Sequence, residues 1–192
     1  MKKFAMGVAA AGLGLLGAVL YVSAADEPPY EVLETFGDVE LRRYGASIHA
    51  AVPMSGTDDS FRRLAGFIFG GNDAEESISM TAPVQMDIGS PNPEMAFIMP
   101  GGYDMATLPR PNDDSVLLRE VPARTVAVLR FSGRASLSSL ESKRRALEET
   151  LRGAGVTTTG KWSLNQYDPP WIPGPVRRNE IWVDVQTEAA GG

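Results

Sequence analysis

The fold is decided by two stretches that align without a gap at a separation of 77 residues, Val39–Gly56 (VELRRYGASIHAAVPMSG) and Val116–Gly133 (VLLREVPARTVAVLRFSG). Seven of the 18 aligned positions are identical. Each copy shows two short runs of alternating apolar and polar residues joined by a turn former, Gly45 in the first and Pro122 in the second. That pattern is typical of short strands, and its recurrence indicates an internal repeat.

A helix is predicted after each copy. In the first half, Asp58 and Asp59 have the character of N-caps, and residues 70–71, both glycine, end the helix. In the second half, Ser136 precedes a longer amphipathic helix that ends within 153–155. Apolar residues at helical spacing are expected to face the core: Phe61, Leu64, Ala65 and Ile68 in the first helix, and Leu137, Leu140, Leu147 and Leu151 in the second.

The body is therefore predicted to be α+β. Each helix is followed by a proline-marked extended segment and a further strand, giving pseudo-repeats over 30–100 and 115–187 joined by a turn-rich linker. The duplicated strand–helix–strand unit forms a distorted antiparallel β-barrel or sheet of about eight strands with two helices packed on it. Barrel closure would remove the sheet edges. Residues 188–192 are expected to be a disordered tail.

The N-terminal region has the pattern of a targeting segment. Lys2 and Lys3 precede an uncharged run, Phe4–Ala25, that ends in small residues. This pattern indicates a cleaved secretory signal, but the run also reaches the roughly 20 residues of a membrane anchor. With two lysines before the run, either alternative places the body outside the cytoplasm, in the periplasm or an equivalent space, soluble or anchored.

Composition excludes several classes of site. The 192 residues include no cysteine and one histidine, so disulfides, thiolate catalysis, iron–sulfur clusters and cysteine-bound zinc are excluded. The net charge of −6 disfavours a nucleic-acid partner, because such proteins are normally basic. Contact with a membrane is expected only through the N-terminal segment.

Five motifs occur in the order typical of one family: Tyr30-Glu31-Val32, Glu40-Leu41-Arg42-Arg43-Tyr44, Ile68-Phe69-Gly70-Gly71-Asn72, Ser79-Met80-Thr81-Ala82-Pro83-Val84 and Arg178-Asn179-Glu180-Ile181-Trp182. Over roughly residues 29–186, the chain resembles the SOUL haem-binding protein family. The resemblance implies a duplicated barrel with two helices, also similar to the effector-binding domains of multidrug-responsive regulators. It also implies that haem or a related tetrapyrrole binds in an apolar groove without catalysis.

The candidate iron ligands differ from the family pattern. A family member has a histidine, proposed as axial ligand, at the position that Arg43 occupies here, so that ligand is not carried over. His49 is the only imidazole and therefore the candidate metal ligand; the alternative is a hydrogen-bonded, half-buried histidine. Met80 belongs to a methionine-rich segment that either ligates or simply fills an adaptable apolar pocket.

Other candidates would hold the rest of a macrocycle. Four arginines are candidates for pairing with propionates, since a guanidinium matches a carboxylate bidentately: Arg42, Arg43, Arg177 and Arg178. The alternative is that they are solvated ends of strands. Trp171, in a proline-rich loop, is a candidate lid, with Trp182 and Tyr167 as further stacking surfaces. Glu180 lies within an apolar strand, so it either faces the pocket or pairs with an arginine, Arg178 or Arg130.

The sequence favours a binding module that carries, buffers or senses a tetrapyrrole. A nucleophile motif or a second carboxylate near Glu180 is not apparent, so the interpretation is non-enzymatic. Two alternatives stay open: a tetrapyrrole-modifying or hydrolytic enzyme using Glu180, and a small-molecule or peptide-binding module like the regulator domains.

Overall fold

The computed structural model describes residues 25–186. Within these residues, nine strands and two α-helices follow in chain order: β1 (Tyr30–Phe36), β2 (Val39–Tyr44), β3 (Ser47–Pro53), α1 (Thr57–Ile68), β4 (Val84–Ile88), β5 (Glu94–Ile98), β6 (Leu117–Val121), β7 (Arg124–Phe131), α2 (Leu137–Gly153), β8 (Thr158–Gln166) and β9 (Asn179–Val185). A 3₁₀ turn, Gly174–Val176, lies between β8 and β9. Residues 1–24 and 187–192 lie outside the described residues, and with them the predicted leader up to residue 24 and the whole predicted tail, 188–192. Within 25–186, no helix is long and apolar enough to cross a membrane.

The strands form one antiparallel sheet whose order shows the duplication. The order is β1-β2-β7-β9-β8-β4-β5-β3-β6. Strands β2 to β5 of the first half correspond to β6 to β9 of the second, so the order without β1 is symmetric about the β8–β4 pair. The rotation that exchanges the two halves places Met86 on Leu164 and Leu164 on Met86, so a pseudo-twofold axis passes through this pair. The α+β fold class with two packed helices is confirmed. The sheet has nine strands and stays open between β1 and β6 rather than closing into a barrel.

The two repeated stretches cross each other at a corner. β2 pairs with β7 from Val39↔Leu129 to Tyr44↔Arg124, and β3 pairs with β6 from Ser47↔Val121 onward, in the same register. The turns after Tyr44 and after Val121 therefore lie opposite each other on the pseudo-twofold axis. Each repeated stretch contributes its first strand to one ladder and its second strand to the other. We call this place the corner.

The helices cover one face of the sheet. α1 packs on β3 and β5, and α2 packs on β7 and β9. The core between the helices and the sheet contains Leu64, Phe67, Leu147 and Leu151, each at most 2% exposed. Burial of apolar surface contributes about 25 cal/mol per Å², so this layer stabilises the packing of the helices on the sheet. The strands at the corner therefore pack one face against the core, and their opposite face is available for a binding site.

Two details of the helices differ from the sequence predictions. Gly56 is the N-cap of α1 and makes no side-chain capping bond, so the predicted capping by Asp58 and Asp59 is wrong. Both lie inside the first turn, where a carboxylate still interacts favourably with the helix dipole. Leu137 is 88% exposed, because it is the first helical residue and precedes the turns that reach the sheet. The Ser136 cap is confirmed by its bond from the Ser139 amide.

Candidate binding groove

A groove of about 720 Å³ lies at the corner, on the sheet face opposite the helices. This volume falls within the roughly 300–1,000 Å³ of small-molecule sites. Four segments form its walls: residues 26–29, the two corner turns, and the loop 99–104. Side chains that line it include Tyr44, His49, Ile98, Tyr103, Val121, Arg124 and Trp182. We call it the corner groove.

The groove contains a stacked aromatic pair. Tyr44 and Trp182 lie with ring centroids 4.8 Å apart and planes at 27°, and Tyr30 packs against the outer side of Tyr44 at 5.3 Å. Burial raises the pKa of Tyr44 to about 12, so its hydroxyl stays neutral. Tyr44 is 6% and Trp182 2% exposed, so the pair forms an apolar floor beneath the groove.

His49 lines the groove as a neutral imidazole. It is 3% exposed, and its Nε2 lies 3.1 Å from the Ser47 hydroxyl oxygen. Burial, together with the nearby Arg124 and Arg119 guanidinium groups, lowers the pKa of His49 to about 3. The structure thus places His49 at the groove, hydrogen-bonded and uncharged at neutral pH.

The segment that precedes β1 forms one wall of the groove. The Ala82 amide donates to the Asp26 carbonyl at 2.9 Å. The Glu27 carboxylate accepts two bonds, of 2.8 and 3.0 Å, from Nη1 of Arg178. These contacts fasten residues 26–29 across the sheet, so the wall depends on Arg178.

Glu180 is fully buried and its carboxylate is saturated with donors. Oε2 accepts from Arg42 Nη1 at 3.0 Å, from the Tyr167 hydroxyl at 2.8 Å and from Trp182 Nε1 at 2.7 Å. Oε1 accepts from Nε and Nη2 of Arg178, at 3.2 and 3.0 Å. Of the two arrangements that the sequence leaves open for this carboxylate, the structure shows the pairing with an arginine.

The electrostatics of this cluster keep Glu180 ionised. Burial by itself would raise the pKa of Glu180, but the Arg42 and Arg178 charges and the bonds from Trp182 and Tyr167 outweigh it and hold the pKa below its ordinary value. A carboxylate with a lowered pKa and five donors is a weak base. Glu180 instead anchors Trp182 in the groove floor.

Arg177 and Arg178 lie at a different cavity from His49. A polar cavity of about 740 Å³ is lined by both arginines, by Arg130 and Lys143, and by the β1–β2 turn. The Arg177 Nη2 donates to the carbonyl oxygens of Pro170 and, at 2.7 Å, of Ile172, so this side chain holds the proline-rich loop in shape. We call this second site the basic cavity.

The three remaining sequence candidates do not line the corner groove. Arg43 is an exposed partner of Glu31, with a 3.0 Å Nη1–Oε2 distance. Met80 is half-buried and packs against the core. Trp171 is 64% exposed on the proline-rich loop. Of the candidates named from sequence, the structure brings together His49 and Trp182 in the groove, with Glu180 beneath Trp182.

Sequence reasoning missed most of the groove residues. Ile98, Val121 and Arg124 come together only because β2 and β3 pair with β7 and β6 rather than with each other. One signal for them was present: the two aligned turns, Gly45 and Pro122, occupy equivalent positions of the repeat. Equivalent elements of a duplicated fold meet on its axis, and here that meeting forms the groove.

Comparisons with known proteins agree on one family. The family model described as SOUL heme-binding protein matches residues 25–184. Heme-binding protein 1 of Mus musculus is 29% identical over 89% of this chain and 98% of its own length. Heme-binding protein 1 of Bos taurus is 26% identical over 92% of this chain and 100% of its own length.

Solved structures show the same fold at low identity. The C-terminal domain of EcmrR has a TM-score of 0.60 with 13% identity, covering 83% of this chain and 99% of that domain. A hydrolase from Listeria innocua has a TM-score of 0.53 with 9% identity, covering 91% of this chain and 98% of its own. Identities this low show the shared fold alone.

Proposed function

Because the chain belongs to the SOUL family of heme-binding proteins, we propose that its corner groove binds haem or a related tetrapyrrole and that the protein acts as a carrier, buffer or sensor. The observation that carries the proposal is a groove of about 720 Å³ whose floor is the buried Tyr44–Trp182 pair and whose walls include the apolar side chains of Ile98 and Val121. Such a groove offers a planar macrocycle apolar contact next to aromatic side chains. The relatives named heme-binding protein support the ligand class.

The side chains of the groove fit a tetrapyrrole better through apolar contact than through the iron. A neutral imidazole is a usual haem ligand, and His49 is neutral, but its Nε2 already contacts the Ser47 hydroxyl and the ring is 3% exposed. We therefore expect heterogeneous iron ligation. Arg124 is the cation among the groove-lining residues and pairs with Asp184 at 3.0 Å, so we expect a propionate to share this guanidinium with Asp184.

The compartment is part of the proposal. The positive start and apolar run of residues 2–25 support export, as a released or a membrane-tethered protein. Groove-lining residues begin at Asp26, immediately after that run. In a tethered form, the groove would lie close to the bilayer, where apolar tetrapyrroles partition.

The proposal is tested by titrating the purified chain with haem and following the Soret band. We expect saturable binding with a Kd on the order of 1 μM or tighter. Val121→Glu places a carboxylate in the groove wall and should weaken haem at least about tenfold, because the charge must be desolvated against the macrocycle.

Leu117→Glu is the matched control. Leu117 lies on the same strand and face as Val121, is 55% exposed and does not line the groove. It should bind haem like the unmodified chain. Equal affinities for all three proteins, or no Soret change beyond that given by an unrelated acidic protein, would contradict the proposal.

A further inference from the structure

The basic cavity concentrates positive charge in an acidic chain. Its lining has four cationic side chains, Arg130, Lys143, Arg177 and Arg178, against two carboxylates, in a protein of net charge −6. One of those carboxylates, Glu40, already accepts a 2.7 Å bond from Arg42. The lining therefore keeps an excess of positive charge.

Two of the four cations have no ionic partner within residues 25–186. Arg178 is paired with Glu27 and Glu180, and Arg177 is bonded to loop carbonyls. Arg130, near the end of β7, and Lys143, on α2, form no ion pair with any described residue. Arg130 and Lys143 line one cavity with Asp38 as the other lining carboxylate, so the lining still has an excess of positive charge, which favours an anion.

The cavity is formed where the second half of the fold departs from the first. Twelve residues, 167–178, connect β8 to β9, whereas five, 89–93, connect the equivalent β4 and β5. The added residues contribute Pro175, Val176 and both arginines to the cavity wall. The repeat accounts for the groove, and this insertion accounts for the basic cavity.

The two sites are separated along the strands. Arg124 lines the groove and Arg130 lines the basic cavity, at opposite ends of β7. Six residues at about 3.3 Å each place their backbones about 20 Å apart. A ligand in the groove therefore leaves Arg130 and Lys143 free.

We propose that the basic cavity is a binding site for a phosphate monoester, held by Arg130 and Lys143 with support from Arg177. A dianion with three terminal oxygens can accept from several cations of one cavity at once, whereas a carboxylate offers two oxygens. The cavity volume of about 740 Å³ exceeds the needs of a phosphate alone, so it has room for an attached organic group. The proposal does not depend on the ligand of the corner groove.

Amide chemical shifts of the full chain, titrated with inorganic phosphate at ionic strength held constant with chloride, test the site. We expect saturable shifts at residues 37–38, 130–132 and 176–178. Arg130→Gln/Lys143→Gln should weaken phosphate about tenfold or more, because two charge-assisted contacts are lost. Arg145→Gln, which removes an exposed α2 cation paired with Glu141, should change nothing. Absence of saturable shifts, or equal weakening by both variants, would overturn the proposal.

Further arms distinguish the source of the phosphate. Glycerol 3-phosphate represents a free metabolite, and phosphatidylcholine vesicles with and without phosphatidic acid represent a lipid headgroup; binding to either at the same residues supports the site. Haem added to the phosphate-bound chain should leave the phosphate shifts in place. If haem displaces phosphate, the cavity belongs to the tetrapyrrole site and the proposal is wrong. Failure of haem to bind at all would refute the groove proposal while leaving the phosphate shifts intact.

Discussion

Glu180→Gln is expected to destabilise the protein far more than the loss of an ordinary ion pair. Glu180 is fully buried, and its partner Arg42 has a side chain only 5% exposed. The substitution keeps the size and leaves an acceptor for Trp182 and Tyr167. It removes the negative charge that balances Arg42 and Arg178. Arg42 then has only one ion-pair partner, the part-exposed Glu40.

The magnitude follows from that burial. Removing one partner of a buried ion pair costs about 3–5 kcal/mol, because the other charge stays buried without compensation. The total free energy of unfolding of a natural domain is about 5–15 kcal/mol. The variant should therefore lose a large share of its stability, and its Tm should fall by about 6–20 °C for a domain of this size.

Urea denaturation followed by circular dichroism measures this loss, with Glu31→Gln as control. Glu31, on β1, pairs with Arg43, on β2, but both side chains are more than half exposed. Exposed pairs contribute about 0–1 kcal/mol, so the control should unfold close to the unmodified protein. If Glu180→Gln loses less than about 1 kcal/mol, the reasoning about the buried cluster is refuted.

Burial and charge also lead to expectations for His49 and for α2. Unfolded His49 takes up a proton below about pH 6.5, whereas the folded side chain has a pKa of about 3, so the free energy of unfolding should fall by about 2 kcal/mol between pH 7 and 5. His49→Gln should remove this part of the pH dependence. An unchanged pH dependence in the variant counts against a buried neutral imidazole. The same variant should leave haem affinity and the Soret spectrum unchanged, whereas loss of a low-spin component would identify His49 as an iron ligand. Leu147→Ala should lower the free energy of unfolding, measured in urea, by about 2–5 kcal/mol, because Leu147 is fully buried. Leu137→Ala should lower it hardly at all, since Leu137 is 88% exposed. Similar losses in the two variants would contradict the packing of α2.

Export makes a separate prediction for the leader. Cell fractionation should place the protein outside the cytoplasm, either free or released only by detergent, and the intact mass of a free form should begin at Ala25 or Asp26. Full-length protein free in the cytoplasm would overturn this part of the proposal.

The repeat made the fold predictable from sequence. Val39–Gly56 and Val116–Gly133 carry the same strand–turn–strand pattern, and the structure pairs them with each other in one register. The ninth strand did not follow from the repeat, because β1 has no equivalent beside β6. Its signal was local, since only Gly37 and Asp38 separate β1 from β2, with which it pairs as a hairpin.

The site was predictable only in part. His49 and Trp182 carry recognisable chemistry, and both line the groove. The groove itself depends on which strands become neighbours, and no local pattern contains that information. Arg177 and Arg178 show the same limit. The rigid proline-rich loop was apparent from the sequence, but its position was not, and the longer β8–β9 connection places both arginines at the basic cavity.

The central claim, that a tetrapyrrole binds at the corner, is tested most directly by mapping its contacts. Gallium protoporphyrin IX, a diamagnetic stand-in for haem, is added to isotopically labelled protein and the amide shifts are followed. The largest shifts should cluster at residues 44–49, 98–104 and 121–124. A cluster at 130–132 and 176–178, or on the outer surface of α1, with the corner amides unmoved, would contradict the claim.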